Sequence, residues 1–256
     1  MSLPLNPNER RREIVNLVMT RKSVSVENLV SALKVSRMTI HRDLDLLEGR
    51  GLLRKERGGA TAESSLLFES NIHYRLQNET AEKRTLAHAA RRLIEPGSAI
   101  MIDDSTTTLM LAEELDTIEF ITVISNSLAV CERLRSRPNV RLIITGGNYS
   151  DTLQAFYGLI CEQSLTKLHA DWAFLSAPSV IGLSLYHQDQ EVVRMKRALM
   201  AAAERTALLL TPSKFSARAL NHFGELAEFD RVFIDHHVSE AIVQRLRQAA
   251  IAFELV

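Results

Sequence analysis

The 256-residue sequence lacks several features that mark specialised classes of protein. Only two cysteines occur, Cys131 and Cys161, and neither has the spacing of a metal knuckle, so two reduced packing residues are expected, with no disulfide, metal or cofactor. No uninterrupted apolar run reaches the roughly 18 residues of a membrane span, and the charged N-terminus lacks the apolar core of a secretory signal. These absences favour a cytoplasmic protein with no membrane partner.

The sequence also has no excess of either charge sign, because 31 lysines and arginines balance 31 aspartates and glutamates. This balance hides an asymmetry along the chain. Residues 1–57 carry twelve cations against seven anions, a net +5, and the remainder carries nineteen against twenty-four, a net −5. A basic segment of this kind is expected of a unit that meets a polyanion, which would repel the acidic remainder.

The basic segment has the pattern of three short helices followed by a short extended pair. The helices are expected to begin at about Asn8, Ser25 and Ser36, because Asn and Ser are good N-caps. Apolar residues at helical spacing predict one buried face on each helix. The extended pair lies in "LLRKERGGA", which suits a wing. A tight turn between two helices, with a polar and cationic outer face on the second, fits a major groove.

The outer face of helix three and the wing are the candidate DNA-binding surface. Met38, His41 and Arg42 fall opposite the apolar stripe of helix three at 100° per residue. A cationic helix face is often only solvated, but two basic elements in one small unit favour DNA. The residues predicted to contact double-stranded DNA are Ser36, Arg37, Met38, Thr39, His41, Arg42, Arg54, Lys55 and Arg57.

The stretch "VSRMTIHRDLDLLEGRGLLRKERGGA" resembles the winged helix-turn-helix of DeoR-family bacterial transcriptional regulators. The positions that match the family pattern are Val35, Ser36, Thr39, Ile40, Arg42, Asp43, Leu44, Leu47, Gly51, Leu53, Gly58, Gly59 and Ala60. His41 departs from it, because the first of two basic residues there is usually Arg. A contact made by His41 is therefore expected to be weaker or dependent on pH.

Beyond Gly97 the chain alternates apolar runs with helical segments, which predicts an α/β domain whose sheet is covered on both faces. The predicted strands are "AIMID", "FITVISN", "VRLIITGG", "DWAFLSAP", "TALLLTP", "RVFID" and "IAFELV". Several of them end in small polar residues, where open α/β sheets bind ligands. Hydroxyls at a helix start, paired glycines and a lysine suit a phosphorylated sugar or polyol. The alternative is that these residues are ordinary helix caps.

This half resembles the sensor domain of the same family, which shares its fold with ribose-5-phosphate isomerase and the CoA transferases. The resemblance implies an effector site formed by Asp103, Asp104, Ser105, Thr106, Thr107, Asn126, Ser127, Gly146, Gly147, Glu191, Lys196 and Lys214. Two departures are present. Ser105 replaces a glycine that lets the backbone approach a phosphate, and Thr211 and Pro212 replace the usual Asp-Ser, so the effector is expected to differ from the family's common sugar phosphates.

Together these patterns predict a winged helix-turn-helix domain at residues 1–60, a linker at 61–80 and an α/β effector-sensing and oligomerisation domain at 81–256. The expected function is that of a transcriptional repressor controlled by a phosphorylated sugar or similar metabolite. One DNA-binding module alone would bind weakly, so a homodimer or tetramer is expected.

Two other functions stay open on the sequence. An isomerase or acyl-transfer enzyme could draw acid, base and charge stabilisation from Asp103, Asp104, Glu191 and Lys214. A structural DNA-binding protein would respond to no metabolite.

Overall fold

A computed structural model of the chain describes residues 6–21, 23–49, 52–61 and 72–256. The chain divides into two compact units, Met1–Gln77 and Asn78–Val256. Residues 62–71 of the predicted linker lie outside the described residues, and the rest of that segment includes a short helix.

The N-terminal unit packs short helices against a three-stranded antiparallel sheet of order β1-β3-β2. Its elements are α1 (Pro7–Arg21), β1 (Ser23–Ser25), α2 (Val26–Leu33), α3 (Arg37–Gly49), β2 (Arg54–Glu56), β3 (Gly59–Thr61) and α4 (Ile72–Gln77). The predicted wing is the β2–β3 hairpin. Its apolar core joins all three predicted helices through Ile14, Leu29, Ile40 and Leu44, each fully buried. The strand β1 was not predicted, since three residues give no usable period.

The helix boundaries of this unit follow from local capping. Ser25 caps α2 as predicted, because its hydroxyl accepts a hydrogen bond from Asn28 N at 3.2 Å. The predicted cap at Asn8 is wrong, since α1 begins at Pro7. Asn6 accepts hydrogen bonds from the N–H groups of residues 8 and 9 at 3.0 Å each. Proline is well suited to the first helical position because it needs no N–H partner there.

The C-terminal unit is built on a parallel sheet of seven strands in the order β15-β14-β12-β9-β4-β5-β6. The strands of that sheet are β4 (Ala99–Ile102), β5 (Ile121–Ser125), β6 (Val140–Ile144), β9 (Ala170–Leu175), β12 (Ala203–Leu210), β14 (Arg231–Ile234) and β15 (Phe253–Leu255). The helices are α5 (Thr80–Arg91), α6 (Thr106–Glu113), α7 (Leu128–Leu134), α8 (Leu159–Leu165), α9 (Gln190–Ala201) and α10 (Glu240–Gln248). All seven predicted strands are confirmed, and every pairing among them is parallel.

Two smaller antiparallel sheets extend this unit and were not predicted. One has the order β10-β11-β13, and the other pairs β7 with β8. Their strands are β7 (Asn148–Ser150), β8 (Ala155–Tyr157), β10 (Ser179–Ile181), β11 (Ser184–His187) and β13 (Asn221–Glu225). These segments are short and mix polar with apolar residues, so their sequences give no strong strand signal.

The parallel arrangement brings the carboxyl ends of the strands to one edge of the sheet. The segments that follow β4, β5, β6, β9 and β12 therefore lie along the same edge. Among the described residues, no helix is long and apolar enough to cross a membrane.

Candidate functional site

The outer surface of α3 presents the side chains that the sequence predicted to face DNA. Met38 is 64% exposed, and Arg42 is exposed beside the half-buried His41. Arg57 is exposed in the turn between β2 and β3. Within the described residues, the side chains of His41, Arg42 and Arg57 make no hydrogen bond or ion pair, so their donors are available to an external partner.

Other predicted DNA-binding residues already have partners in this unit. Arg37 forms an ion pair with Glu27, and both side chains are largely exposed. Ser36 accepts a hydrogen bond from Thr39 N at 3.2 Å, and its hydroxyl lies 2.9 Å from that of Thr39. The Ser36 hydroxyl therefore caps the start of α3, and the Thr39 hydroxyl is hydrogen-bonded to it.

The wing is tied to α3 by a lysine that was predicted to contact DNA. The Lys55 ammonium pairs with Asp45, and Lys55 N donates to Glu48 Oε1 at 2.7 Å. Arg54 is exposed on the same strand and also has an interaction within the protein. Because Asp45 and Glu48 lie on α3, Lys55 fixes the wing against that helix.

Asp43 is a buried carboxylate that holds α1 against α3, and its role was not predicted. It is 2% exposed and accepts hydrogen bonds from Arg10 Nε at 2.7 Å and Arg11 Nε at 2.8 Å. Arg10 and Arg11, two cations of the basic segment, therefore have a structural role. This role could have been inferred from the sequence, because a carboxylate among basic residues needs a charged partner if it is buried.

In the C-terminal unit, Asp103 is the centre of a buried polar cluster at the end of β4. Its Oδ2 accepts hydrogen bonds from Lys196 Nζ and from Ser176 N, the latter at 3.0 Å. Its Oδ1 accepts from Ser105 N at 3.0 Å and Thr108 Oγ1 at 2.6 Å. Asp103 is fully buried and its oxygens are occupied, so it organises the loop rather than offering a free acceptor.

Lys196 is held from two further sides. Its ammonium donates to Ser176 O at 2.9 Å and lies 3.8 Å from Asp104 Oδ1. Ser176, which follows β9, was missed by the sequence analysis, although it ends a predicted strand as the other site residues do. The cluster thus contains two buried carboxylates and one ammonium, and Asp104 gives this edge an acidic character.

The start of α6 contains both structural and available hydroxyls. The Ser105 hydroxyl accepts a hydrogen bond from Thr108 N at 3.1 Å, and its φ of −76° needs no glycine. Thr106 and Thr107 are 3% and 2% exposed. Across the described ranges, neither of their hydroxyls forms a hydrogen bond, so these two groups remain available at a helix start.

Asn126, after β5, offers a buried acceptor. It is fully buried, and its Nδ2 donates to Phe156 O at 3.0 Å. No donor in the described part of the chain reaches its Oδ1. Ser127 instead caps α7, with its hydroxyl 3.4 Å from Val130 N. A buried amide oxygen without a partner is costly, so Oδ1 is a candidate ligand group.

The glycines after β6 are required by the backbone. Gly146 and Gly147 have φ values of +68° and +117°. A Cβ on Gly147 would lie 2.5 Å from Tyr157 O, which is impossible without a backbone shift.

The last two predicted effector residues differ in environment. Glu191 is exposed at the start of α9 and lies 3.6 Å from Arg194 in an ion pair, outside the buried cluster. Lys214 is half-buried in a short 3-10 turn, Pro212–Phe215, that follows β12. Because β9 separates β12 from β4, this turn begins about 10 Å from the Ser105 loop along the sheet edge.

The turn that contains Lys214 is bonded to Glu79, which precedes α5 and was not predicted as a site residue. The Glu79 carboxylate accepts hydrogen bonds from the Thr211 hydroxyl at 2.5 Å and from the Ser213 hydroxyl at 2.6 Å. Burial alone would raise the pKa of Glu79, but these bonds and the charge of Lys214 outweigh it and hold the pKa below its usual range.

One group of side chains has the composition of a metal site. Single donor atoms of Asp235, His236 and His237 lie within 4.8 Å of one another. Asp235 Oδ1 lies 2.7 Å from His237 Nδ1, and His236 Nδ1 lies 2.9 Å from Val256 O. Hydrogen bonds within the turn and to Val256 therefore explain why these side chains lie close together.

Comparison with protein-family models gives two matches that together span most of the chain. The DeoR-like helix-turn-helix domain matches residues 10–66, and the DeoR C-terminal sensor domain matches residues 78–236.

Full-length relatives are similar along nearly the whole chain. A lactose phosphotransferase system repressor of Staphylococcus epidermidis is 33% identical over 91% of this chain and 94% of its own. A glycerol-3-phosphate regulon repressor of Haemophilus influenzae is 31% identical over 93% of each chain. The L-fucose operon activator of the same species is 29% identical over 94% of this chain and 97% of its own.

Among solved structures, ribose 5-phosphate isomerase A of Methanocaldococcus jannaschii aligns with a TM-score of 0.39 and 16% identity over 54% of this chain and 55% of its own. The eIF2B delta subunit of Chaetomium thermophilum aligns with a TM-score of 0.42 and 13% identity, over 87% of this chain and 70% of its own. Likenesses this weak carry no argument about function.

Proposed function

The chain belongs to the DeoR family of transcriptional regulators, and from that premise we propose that it is a cytoplasmic repressor whose operator binding is relieved by a phosphorylated sugar. The α3 surface and the β2–β3 wing bind the operator. The effector binds at the carboxyl edge of the parallel sheet in the C-terminal unit.

The observation that carries the DNA-binding role is the set of exposed cations that have no partner in the described part of the protein. Arg42 on α3 and Arg57 on the wing project from two elements that Lys55 holds together. Phosphate contacts from such residues position a recognition helix, and contacts to base edges give specificity. The residues of α3 that already have partners, such as Arg37, contribute through the shape and charge of the surface.

The proposed effector site is supported by the positions of hydrogen-bond donors and acceptors along the edge of the parallel sheet. Asp104 and Asn126 Oδ1 are acceptors suited to sugar hydroxyls, whereas Lys214 is a donor suited to a phosphate. The hydroxyls of Thr106 and Thr107 lie at the N-terminus of α6 and can exchange hydrogen bonds with hydroxyls of the sugar. A phosphate close to Asp103 and Asp104 would be repelled, so the anionic group is expected toward Lys214.

A homo-oligomer is part of the proposal. Specific operators are usually bound by two modules at a fixed spacing, because one module makes too few contacts. A sugar phosphate shifts the operator equilibrium only if it binds one arrangement of the oligomer better than the other.

A thermal-shift screen of sugars and their phosphate esters tests the effector class. A ligand at 100 times its dissociation constant adds about 2.7 kcal/mol of stability. We expect stabilisation by one or more phosphate esters and none by the matching free sugars. Lys214→Met is expected to weaken the active ester about ten- to a hundredfold, through loss of a charge-assisted hydrogen bond. Lys167→Met, at an exposed lysine, is the control.

Stabilisation by free sugars alone, or an unchanged affinity in Lys214→Met, would contradict this assignment of the site. The enzyme alternative has lost its support, because the family and the relatives are regulators. The same esters should therefore show no turnover.

A further inference from the structure

The turn after β12 already binds an anionic group, and that group belongs to the chain itself. Glu79 Oε1 accepts a hydrogen bond from Ser213 N at 3.0 Å. Glu79 Oε2 accepts from the hydroxyls of Ser213 and Thr211, at 2.6 and 2.5 Å. One carboxylate thus takes three hydrogen bonds from two residues that lie more than 130 positions away in the sequence.

These donors are also suited to a phosphate group. A backbone N–H, two hydroxyls and the nearby Lys214 ammonium can satisfy several anionic oxygens at once. The two oxygens of Glu79 therefore occupy positions that two phosphate oxygens could take. Thr211 stands where the family usually has Asp, so this chain has a hydroxyl donor at that position.

The backbone of Glu79 is held in an unfavourable conformation. Its φ is +50°, in the left-handed region that residues other than glycine, asparagine and aspartate seldom adopt. The preceding residue is fixed as well, since Lys83 Nζ donates to Asn78 O at 2.6 Å. The hydrogen bonds to the β12 turn oppose this strain, so their loss would favour a change of backbone conformation at Glu79.

We propose that Thr211, Ser213 and Lys214 form an anion site at which the Glu79 carboxylate and a phosphate group of the effector compete. This inference rests on the proposed function for the identity of the effector. The competition itself concerns only Glu79 and a phosphate anion, and can be tested with inorganic phosphate.

Glu79 lies next to the junction of the two units, so the competition at its carboxylate affects the segment that connects them. Glu79 is two residues after Gln77, the last residue of the N-terminal unit. Displacement of its carboxylate releases Glu79 from the β12 turn. The connection between the two units therefore changes when the anion site fills, which links effector binding to the unit that carries the DNA-binding residues.

The test measures binding of inorganic phosphate by the full chain. A site that is open in one molecule in ten to one in a hundred binds about ten- to a hundredfold more weakly than an open site. Glu79→Gln removes the competing charge, so we expect it to bind phosphate about tenfold more tightly than the parent. Glu79→Gly removes the side chain and suits the positive φ, so it should bind at least as tightly.

Two variants complete the design. Glu82→Gln is the matched control, because Glu82 lies three residues further on and makes no ion pair or hydrogen bond in the described structure. It should bind phosphate like the parent. Lys214→Met combined with Glu79→Gln should lose the added affinity, which assigns the bound phosphate to the β12 turn.

Hydrogen exchange measures whether the backbone around Glu79 changes when phosphate binds. In the parent, saturating phosphate should speed exchange of the amides at residues 78–83, and Glu79→Gly should exchange fast there without phosphate. Equal phosphate affinity in the parent and both Glu79 variants would overturn the proposal, as would absence of phosphate binding in all of them. Failure of every sugar phosphate to affect operator binding would instead contradict the proposed function, and the phosphate comparison would still decide this inference.

Discussion

The two units of the chain place their charged groups in contrasting ways. In the N-terminal unit, Arg42 and Arg57 point to solvent without partners among the described residues, while Asp43 is the buried carboxylate of the core. In the C-terminal unit, the buried Asp103 at the end of β4 is paired with the buried Lys196 of α9. An exposed unpaired cationic surface suits a large polyanion, whereas a sheet edge whose loops are held by a buried ion pair suits a small ligand.

The largest effect is expected where the buried pair is broken. Lys196→Met should leave Asp103 charged and buried without its cation, and destabilise the C-terminal unit by about 3–5 kcal/mol. Arg194→Met removes an exposed cation from the same helix and should cost less than about 1 kcal/mol. The single tryptophan, Trp172, lies in β9, so its fluorescence during urea unfolding reports on this unit. A small effect of Lys196→Met would contradict the structural role of the pair.

The corresponding change in the N-terminal unit is Asp43→Ala. It removes the acceptor of two charge-assisted hydrogen bonds, and we expect a loss of about 2–3 kcal/mol. Arg10 and Arg11 are partly exposed and can turn toward water, which makes this cost smaller than that of Lys196→Met. Asp45→Ala is the control, because it removes only the exposed ion pair with Lys55 and should cost less than about 1 kcal/mol.

Hydrogen exchange of the α1 and α3 amides measures the effect of Asp43→Ala on the N-terminal unit. Unchanged protection of those amides would show that the bonds of Asp43 contribute little to its stability.

The exposed cations should affect operator binding rather than folding. Arg42→Ala and Arg57→Ala should each weaken operator binding. A residue that contacts only phosphate reduces affinity for all sequences and lowers the salt dependence, whereas one that reads guanine loses about 1–3 kcal/mol of discrimination at one base pair. Fluorescence anisotropy at several salt concentrations separates the two. Arg141→Ala, at an exposed cation of the C-terminal unit, should bind like the parent, and normal binding by both variants would show that the surface is misplaced.

The smallest expected effect is a pH dependence at the β12 turn. Because the folded pKa of Glu79 is lowered, its contribution to stability is present above the unfolded pKa and is lost as the pH falls through the folded pKa. Glu79→Gln should therefore flatten the acid side of the Trp172 unfolding profile. Glu82→Gln should leave that profile unchanged. A parent profile as flat as that of Glu79→Gln would mean that the Glu79 hydrogen bonds do not persist in solution.

The elements whose residues are patterned by burial could be predicted from the sequence. The seven parallel strands were predicted because strands such as Ala99–Ile102 and Ala203–Leu210 are largely apolar and covered on both faces. Polar strands such as Ser184–His187 were missed, since their pairing depends on distant partners. The Asn8 cap was misplaced by two residues because several polar residues in that segment could cap a helix.

The residues of the candidate site could be predicted only in part from the sequence, for a related reason. Strand-end residues such as Asp104 and Asn126 could be predicted because parallel strands end at one edge. The sequence could not separate hydroxyls that cap helices, such as Ser105, from those left available, such as Thr107. Ser176 and Glu79 act through contacts with residues far away in the chain, and no local pattern reveals such contacts.

Release of operator DNA by a sugar phosphate is the most direct test of the proposed regulation. Operator fragments selected on the immobilised protein would be titrated by anisotropy, with and without the ester that stabilises the protein and with its free sugar as control. We expect the ester to weaken operator binding by at least tenfold in the parent, while Lys214→Met binds operator normally and needs about ten- to a hundredfold more ester for release. Operator binding that no phosphate ester alters, or equal ester responses in the parent and Lys214→Met, would contradict it.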